Sequence, residues 1–294
     1  MSIPQLGAYA LPEVLPASRA PWQPDARRAV LLIHDMQDYF LRYYGDANPL
    51  IERVLANIAR LRGWARARGV PVVYTAQPAQ QSAAQRALLN DVWGPGLTTA
   101  DPALQAIVAP LAPDSDDTVL TKWRYSAFQR TDLEARMQRW QRNQLIIVGV
   151  YAHIGCLTTA LDAFMRDIQP FIVADAVADF SADEHRMALQ YVAGRCGVVL
   201  DTAQLLNVAD RAAAEDEPGV EWLRREVLPH LDDGAGLGEH DNLLDYGLSS
   251  VQLMQLVGRW EKRGLALRFE ELAETPTLAA WATLIARREA EALA

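Results

Sequence analysis

Cysteine and long apolar runs are both scarce in this sequence of 294 residues. The two cysteines, Cys156 and Cys196, are too few for the disulfide framework of a small secreted domain. No apolar stretch has the length of a transmembrane helix, and residues 1–20 contain no secretory hydrophobic segment. We therefore expect a globular protein of the reducing cytoplasm, without a membrane partner.

Basic residues are outnumbered by acidic ones. The chain has 28 Lys and Arg against 37 Asp and Glu, which gives a formal net charge of -9 at pH 7. An acidic surface does not attract the phosphates of nucleic acids or anionic lipids, so neither is an expected partner. Histidine is also rare, and no pair has the helical spacing of a metal site among His34, His153, His185, His230 and His240. We expect no catalytic metal.

Length and composition indicate two domains. A chain of 294 residues with 50% apolar residues exceeds a typical single domain and can form two cores. Residues 209–218, ADRAAAEDEP, combine alanine and clustered acid with a final proline, which is typical of a linker. We therefore predict a first domain over residues 1–208, a linker over 209–218 and a second domain over 219–294.

In the first domain, apolar runs alternate with helical patterns. Predicted strands occupy residues 29–35, 70–76, 118–121, 144–150, 170–174 and 197–201. Predicted helices occupy residues 50–68, 131–140, 156–167 and 183–195. Strands that are apolar on both faces and alternate with helices are typical of a parallel, doubly wound α/β sheet with helices on both sides.

Polar features follow four of the predicted strands. Asp35 comes after the first strand, Gln77 after the second and Lys122 after the third, and a turn over residues 149–156 follows the fourth. Taken singly, each could be a helix cap, a turn residue or a solvated charge. The carboxyl ends of parallel strands meet at one edge of the sheet, and an acid, a cation and an amide that converge there favour an active site.

Three phrases at these positions resemble the isochorismatase branch of the cysteine-hydrolase-like superfamily. They are residues 33–40 (IHDMQDYF), 122–128 (KWRYSAF) and 149–156 (GVYAHIGC). The resemblance implies that the first domain hydrolyses isochorismate to pyruvate and 2,3-dihydro-2,3-dihydroxybenzoate. It also implies that Asp35, Lys122 and Gly155 are the catalytic positions.

Hydrolysis of a vinyl ether begins with protonation of its terminal methylene carbon, and Asp35 is the candidate acid. An unperturbed Asp, with a pKa of about 3.9, is almost fully ionised at pH 7. Apolar walls from Phe40 and Trp93, with the two carboxylates of the substrate, would raise the pKa of Asp35. Direct pairing with Lys122 would lower it, and the sequence does not decide between the two.

Binding of isochorismate requires groups that hold a dianion. Arg86 and Lys122 can neutralise carboxylates, Gln77 can donate a hydrogen bond, and the turn from Tyr151 to Gly155 offers backbone N–H groups. The segment around Arg86 could equally be a plain helix surface. With the apolar walls, these residues form the predicted substrate pocket.

Relatives in this superfamily use a cysteine nucleophile near the 149–156 turn. Alignment of the turn places that nucleophile at Gly155, so Cys156 is one position late, about 100° around the helix, and is expected to be a small buried group. Two other functions remain open. The protein could be a nicotinamidase-like cysteine amidohydrolase that uses Cys156, or a carrier whose α/β half is a non-catalytic scaffold.

The second domain reads as four helices of unequal length. Predicted helices occupy residues 221–231, 250–263 (ended by Gly264) and 275–292, and residues 265–273 form an irregular or single-turn segment. The hexapeptide 245–250, DYGLSS, puts Ser250 at a helix start. Free backbone N–H groups and the helix dipole there suit a phosphate ester, although Ser250 could be only a helix cap.

This second domain resembles the acyl and aryl carrier domains of nonribosomal peptide assembly lines. By this resemblance Ser250 receives a covalent 4′-phosphopantetheine, and Pro276-Thr277 matches the start of the last helix. Many carriers have Asp before the serine, where it helps to hold Mg²⁺ during modification, and here that residue is Ser249. The domain order resembles the bifunctional isochorismatase/aryl carrier proteins of catecholate siderophore synthesis, of the enterobactin and vibriobactin type, whose carrier holds 2,3-dihydroxybenzoate as a thioester.

The resemblance also implies protein partners. They are a phosphopantetheinyl transferase, an adenylation enzyme that activates 2,3-dihydroxybenzoate, and a condensation domain of a nonribosomal peptide synthetase. Met254, Phe269 and Ala273 are candidate docking residues, and for Phe269 core packing is an equal alternative. Association into a homo-oligomer through the α/β domain is compatible with the sequence.

Overall fold

The computed structural model describes residues 3–208, 218–261, 265 and 267–293. The chain divides into two compact units, Met1–Asp210 and Arg211–Ala294. Nearly all of the predicted linker, residues 209–217, lies outside the described residues, as does the predicted end of the second carrier helix at residues 262–264.

The first unit contains a six-stranded parallel sheet in the order β3-β2-β1-β4-β5-β6. The strands are β1 (Ala29–His34), β2 (Val72–Ala76), β3 (Thr118–Thr121), β4 (Gln144–Val150), β5 (Gln169–Ala178) and β6 (Val198–Leu200). All six predicted strands and the doubly wound α/β class are confirmed. The fifth strand is longer than predicted. Strand order reverses between β1 and β4, where a sheet of this kind opens a crevice.

Both faces of β1 are covered, which explains its uninterrupted apolar sequence. Leu31 and Ile33 belong to one apolar layer, and Val30 and Leu32 belong to the other. All six residues of the strand are buried. Because successive side chains alternate between the layers, the strand end is fixed in register, and the residues that follow it leave the sheet at a defined point.

Helices cover the two faces of the sheet. The structure has α1 (Asp38–Leu41), α2 (Pro49–Ala67), α3 (Ala83–Arg86), α4 (Leu89–Trp93), α5 (Leu133–Arg139), α6 (Leu157–Phe164), α7 (Ala182–Arg195) and α8 (residues 202–208). Short 3₁₀ turns occupy Arg42–Tyr44, Gly96–Thr99, Pro102–Gln105 and Ala109–Leu111, and Ala152–Cys156 is a π-helical turn. Throughout the described part of the chain, no helix combines the length and apolarity needed to cross a membrane.

The second unit is a small helical domain. Its helices are α9 (Val220–Val227), α10 (Ser250–Glu261), α11 (Phe269–Glu274) and α12 (Leu278–Leu293), with a 3₁₀ turn at Leu228–His230. Three tryptophans form the centre of its core: the ring centroids of Trp222 and Trp260 are 5.4 Å apart, and those of Trp260 and Trp281 are 5.9 Å apart. The predicted four-helix carrier architecture is confirmed, with α9 shorter than expected.

Candidate functional sites

A cavity opens at the carboxyl ends of β1, β2, β3 and β4. The structure brings to it all eight residues predicted for the site of the first domain: Asp35, Phe40, Gln77, Arg86, Trp93, Lys122, Tyr151 and Gly155. Strand-end placement from the sequence therefore locates the cavity. Its wall also contains residues that the sequence did not single out, among them His34, Tyr39, Tyr125 and Phe180.

Asp35 and Lys122 form a buried ion pair at the cavity floor. Lys122 Nζ lies 2.8 Å from Asp35 Oδ2, and the Thr75 hydroxyl donates to Asp35 Oδ1 at 2.6 Å. Burial raises the pKa of Asp35, but the Lys122 ammonium and the hydrogen bonds outweigh it and hold that pKa below its ordinary 3.8. The question left open by the sequence is thus answered for the free protein, in which Asp35 is a carboxylate.

Gln77 is fixed by a residue that sequence reasoning missed. The amide of the fully buried Gln37 donates to the carbonyls of Gln77 and Gln105, at 2.9 and 2.7 Å. Its oxygen accepts from the backbone N–H of Gln77 at 2.7 Å. The Gln77 backbone is held on both sides, which leaves its half-buried side chain available to the cavity. Only the position of Gln37 two residues after Asp35 could have suggested this role.

Arg86 is buried and has no carboxylate partner among the described residues. Its Nε donates to the carbonyl of Gly94 at 2.7 Å. Burial lowers the pKa of its guanidinium, and the nearby Arg124 lowers it further, while Tyr39 raises it. A buried charge that lacks a counter-charge is costly, so this site favours an anion. The alternative of a plain helix surface does not apply to Arg86.

Aromatic rings form the remaining walls. Trp93 Nε1 donates to the Tyr125 hydroxyl at 2.7 Å, and the Tyr151 hydroxyl donates to the carbonyl of Phe40 at 2.7 Å. The rings of Tyr151 and Phe180 meet edge to face, with centroids 4.7 Å apart. Burial raises the pKa of Tyr151 well above 10, so its hydroxyl stays protonated. These rings give the cavity apolar walls in addition to its charged floor.

Gly155 and Cys156 are adjacent in the π-helical turn Ala152–Cys156, but they lie in different environments. Gly155 lines the cavity, whereas Cys156 is fully buried in the apolar layer that includes Val30 and Leu32. Burial raises the pKa of the Cys156 thiol well above its ordinary 9.0. A protonated thiol packed in a core is a poor nucleophile, which argues against the amidohydrolase alternative.

His153 and Asp179 hold this turn and were not predicted. Asp179 Oδ2 accepts from the backbone N–H of His153 at 2.7 Å, and Asp179 Oδ1 lies 2.5 Å from His153 Nδ1. Burial lowers the pKa of His153, but the bonded carboxylate outweighs it and raises that pKa above 6.5. Asp179 Oδ1 also accepts from the backbone N–H of Phe180 at 2.9 Å, so one carboxylate joins the turn to the aromatic wall.

In the second unit, Ser250 is the exposed first residue of α10. The preceding residue caps the helix: Ser249 Oγ accepts from the backbone N–H of Gln252 at 3.3 Å, and Gln252 Oε1 accepts from the backbone N–H of Ser249 at 2.8 Å. This reciprocal pair is a capping box. Ser249 is therefore the helix cap, which is the role that the alternative explanation gave to Ser250. The Ser250 hydroxyl remains at the surface.

The loop before Ser250 depends on Gly247. Its φ is +94, and an added Cβ would lie 2.6 Å from Asp232 Cγ, so only glycine fits. The backbone N–H of Asp232 donates to the carbonyl of Tyr246 at 3.0 Å. The buried side chain of Leu248 anchors the same loop in the helical core. The serine thus follows a turn that is anchored in the helical core, and it lies at the surface.

The three predicted docking residues differ in exposure. Met254 is 53% exposed, Ala273 is exposed, and Phe269 is half-buried against the helical core. Both explanations of Phe269 therefore retain a structural basis. In the part of the chain that the structure describes, no group of three or more His, Cys, Asp or Glu side chains is arranged to hold a metal ion.

Comparison with known proteins identifies both units. The model of the isochorismatase domain matches residues 29–204, and that of the phosphopantetheine attachment site matches residues 221–285. Enterobactin synthase component B of Escherichia coli is 54% identical over 98% of this chain and 99% of its own length. A protein named isochorismatase from Bacillus subtilis is 45% identical over 100% of this chain and 98% of its own length.

Solved structures show the same fold in the first unit. A cysteine hydrolase from Pseudomonas syringae pv. phaseolicola superposes with a TM-score of 0.60 at 25% identity, over 67% of this chain and 98% of its own. An isochorismatase family protein from Desulfovibrio vulgaris superposes with a TM-score of 0.55 at 26% identity, over 63% of this chain and 100% of its own.

Proposed function

The chain belongs to the isochorismatase family, and from this membership we propose how the residues of its two sites divide the chemistry. The first domain hydrolyses isochorismate to 2,3-dihydro-2,3-dihydroxybenzoate and pyruvate. The second is an aryl carrier domain with covalent phosphopantetheine, as in the enterobactin-type proteins of siderophore synthesis. The proposal rests on one observation: Asp35, Lys122 and the unpaired Arg86 converge on one partly apolar cavity.

Asp35 is the acid of the proposed reaction. Its proton passes to the terminal methylene carbon of the enolpyruvyl ether, and the remaining positive charge is shared between carbon and the ether oxygen. Water adds to that carbon and loses a proton, which gives a hemiketal. The hemiketal collapses by cleavage of the bond between this carbon and the ring oxygen, so that pyruvate leaves and the ring oxygen takes up a proton. No covalent bond to the protein forms.

The two carboxylates of the substrate are held by charge, and its uncharged parts by apolar contact. Arg86 and Lys122 pair with the two carboxylates of isochorismate, Gln77 donates to an oxygen of the substrate, and Phe40, Trp93 and Tyr151 enclose the enolpyruvyl group. The buried, unpaired guanidinium of Arg86 supports this arrangement because a carboxylate there supplies the missing counter-charge.

Asp35 must gain a proton when the substrate binds, because it is a carboxylate in the free protein. When a substrate carboxylate engages Lys122, the ammonium is shared and a second negative charge lies near Asp35. Both changes raise the pKa of Asp35. The substrate dianion thereby draws a proton onto the residue that will donate it.

This coupling predicts a pH dependence. Only protonated Asp35 can donate, and its pKa in the free protein lies below 3.8. The donating fraction therefore falls as pH rises, and kcat/KM is expected to drop about tenfold per pH unit, or about 100-fold between pH 6 and pH 8. In the complex the pKa is higher, so kcat should stay level to a higher pH than kcat/KM. Initial rates of pyruvate release measure both.

A constant kcat/KM over that range would contradict a proton derived from free Asp35. Thermal unfolding at each pH serves as the control, because it separates loss of catalysis from loss of folded protein.

The buried thiol allows a second prediction. A Cys156→Ala variant is expected to hydrolyse isochorismate at the wild-type kcat, because the thiol neither lines the cavity nor ionises. Loss of the sulfur should cost about 1 kcal/mol of stability. Cys196→Ala is the matched control, since Cys196 is also a buried free thiol. A large fall in kcat for Cys156→Ala alone, with normal folding, would revive a cysteine mechanism.

The carrier domain works with a phosphopantetheinyl transferase and with enzymes of nonribosomal peptide synthesis. We propose Ser250 as the attachment residue, supported by its free hydroxyl beside the Ser249 cap. The group supplies a thiol that holds 2,3-dihydroxybenzoate as a thioester. The finer partners that we propose are a 2,3-dihydroxybenzoate-activating adenylation enzyme and a condensation domain, with Met254, Phe269 and Ala273 as docking residues. Two free cysteines support a reducing, cytoplasmic location.

A further inference from the structure

The imidazole of His34 occupies the space into which a side chain at position 155 would project. A Cβ added to Gly155 would lie 2.7 Å from His34 Nε2 and closer still to Cε1. His34 is fully buried and lines the cavity. The ring therefore fills the volume between the end of β1 and the first turn before α6.

Backbone conformation does not explain the glycine. Gly155 is absent from the residues with positive φ, so the main chain there would accept any L-residue without strain. The contacts of its missing side chain are all with the His34 ring. Within the described residues, position 155 is thus restricted to glycine by its neighbour and not by its own geometry.

His34 is held in one orientation. Its Nδ1 lies 2.8 Å from the carbonyl of Val150, and its Nε2 lies 3.4 Å from the carbonyl of Tyr125. Burial, reinforced by Lys122, lowers the pKa of His34 to about 4, so the ring is neutral and carries one proton. The shorter contact assigns that proton to Nδ1, which donates to Val150. This bond ties the end of β1 to the residue before the 151–155 turn.

The ring also borders the proposed acid. His34 Nδ1 lies 3.7 Å from Asp35 Oδ2, the oxygen that pairs with Lys122. Since side chains beside the reacting group must be fixed within a fraction of an ångström for efficient proton transfer, a ring packed between the carboxylate and the turn defines the distance between them.

We propose that His34 is a positioning residue for the protonation step, whose ring fills the space above Gly155 and fixes both the Asp35 carboxylate and the 151–155 turn. The proposal rests on the role of Asp35 as the acid. It makes positions 34 and 155 a coupled pair, in which a large ring at one requires glycine at the other.

A double-mutant cycle on isochorismate hydrolysis tests the pair. Gly155→Ala should lower kcat on the order of 100-fold, because the methyl group displaces the ring by about 1 Å or more. His34→Ala should lower kcat about tenfold through loss of the bond to Val150. In the double variant the methyl group has room, so kcat should return to the level of His34→Ala. In all variants KM should change less than kcat, because Arg86 and Gln77 are untouched.

His34→Asn is the conservative variant. Its side-chain Nδ2 can replace Nδ1 as donor to Val150, and it leaves kcat closer to wild type than His34→Ala does. Thermal unfolding is measured for all variants. If Gly155→Ala fails to fold, the comparison of His34→Asn with His34→Ala still tests the proposal. If His34 only filled space, the hydrogen-bond donor of Asn and the methyl group of Ala would give the same kcat.

Three results would each overturn the proposal: wild-type kcat in Gly155→Ala, a double variant no faster than Gly155→Ala, or equal kcat in His34→Asn and His34→Ala. Full activity in Asp35→Asn would instead refute the acid assignment while leaving the coupling between positions 34 and 155 measurable. The two failures are therefore distinguishable.

Discussion

An Asp35→Asn variant is expected to lose isochorismate hydrolysis by about 10²–10⁴-fold in kcat/KM, the usual contribution of a general acid. The amide has nearly the same shape as the carboxyl group, and it can still accept a hydrogen bond from Lys122. It has no proton acidic enough to pass to carbon. The loss should therefore appear mainly in kcat, measured as pyruvate release at saturating isochorismate.

The control must separate chemistry from the loss of a buried ion pair. Asp35→Asn leaves Lys122, which is 2% exposed, without its counter-charge, and this should lower the free energy of unfolding. Asp38→Asn makes the same chemical change three residues away, outside the cavity lining. Modification of the carrier domain reports whether the rest of the chain is intact.

Two results would settle the assignment against Asp35. Hydrolysis at the wild-type rate would remove its role as acid. An equal loss in Asp38→Asn would show that the substitution acts through stability or charge alone. A loss confined to Asp35→Asn, in protein that is folded at the assay temperature, supports proton donation.

The strand-end residues were predictable because residues that follow parallel strands lie close together at one edge of the sheet. Asp35, Gln77 and Lys122 are far apart in the chain, yet each follows a strand of the sheet, and the parallel register places them at one edge. No knowledge of side-chain packing was needed. The same reasoning located the turn that contains Gly155.

Residues between the regular elements were harder to place. Arg86 is the last residue of α3, a four-residue helix between β2 and β3 that is too short for a periodicity to separate an inward from an outward side chain. Its buried guanidinium donates a hydrogen bond to the carbonyl of Gly94. Tyr125 is part of the cavity wall, where its hydroxyl accepts a hydrogen bond from Trp93. Contacts of this kind depend on tertiary packing, which the hydrophobic pattern of a sequence does not predict.

The sequence also could not predict properties that depend on the distance between two side chains. The pKa of Asp35 depends on whether a lysine lies 2.8 Å away or much farther, since the Coulomb interaction falls with distance. The restriction of position 155 likewise depends on the ring of His34, which in the sequence is only the last residue of an apolar run. In the second domain, the sequence left open whether Ser250 is only a helix cap, and the hydrogen bonds assign the cap of α10 to Ser249.

A Ser250→Ala variant is expected to accept no phosphopantetheine at all, because alanine has no oxygen on which the phosphoester can form. The measurement is the intact mass of the protein after incubation with coenzyme A and a phosphopantetheinyl transferase. Wild-type protein should gain the mass of one phosphopantetheine group. Pyruvate release from isochorismate should be unchanged in the variant, since the first domain has its own core and its own cavity.

Ser249→Ala is the matched control for this variant, because it removes an adjacent hydroxyl on the same exposed turn. It breaks the capping box with Gln252, which should cost about 1 kcal/mol of stability, but it leaves the Ser250 oxygen in place. Modification should therefore persist. A mass gain that survives Ser250→Ala, or one that is lost only in Ser249→Ala, would move the attachment site. Ser250→Ala and Asp35→Asn together test whether hydrolysis and carriage are chemically independent: Ser250→Ala should abolish modification and spare hydrolysis, and Asp35→Asn should strongly reduce hydrolysis and spare modification.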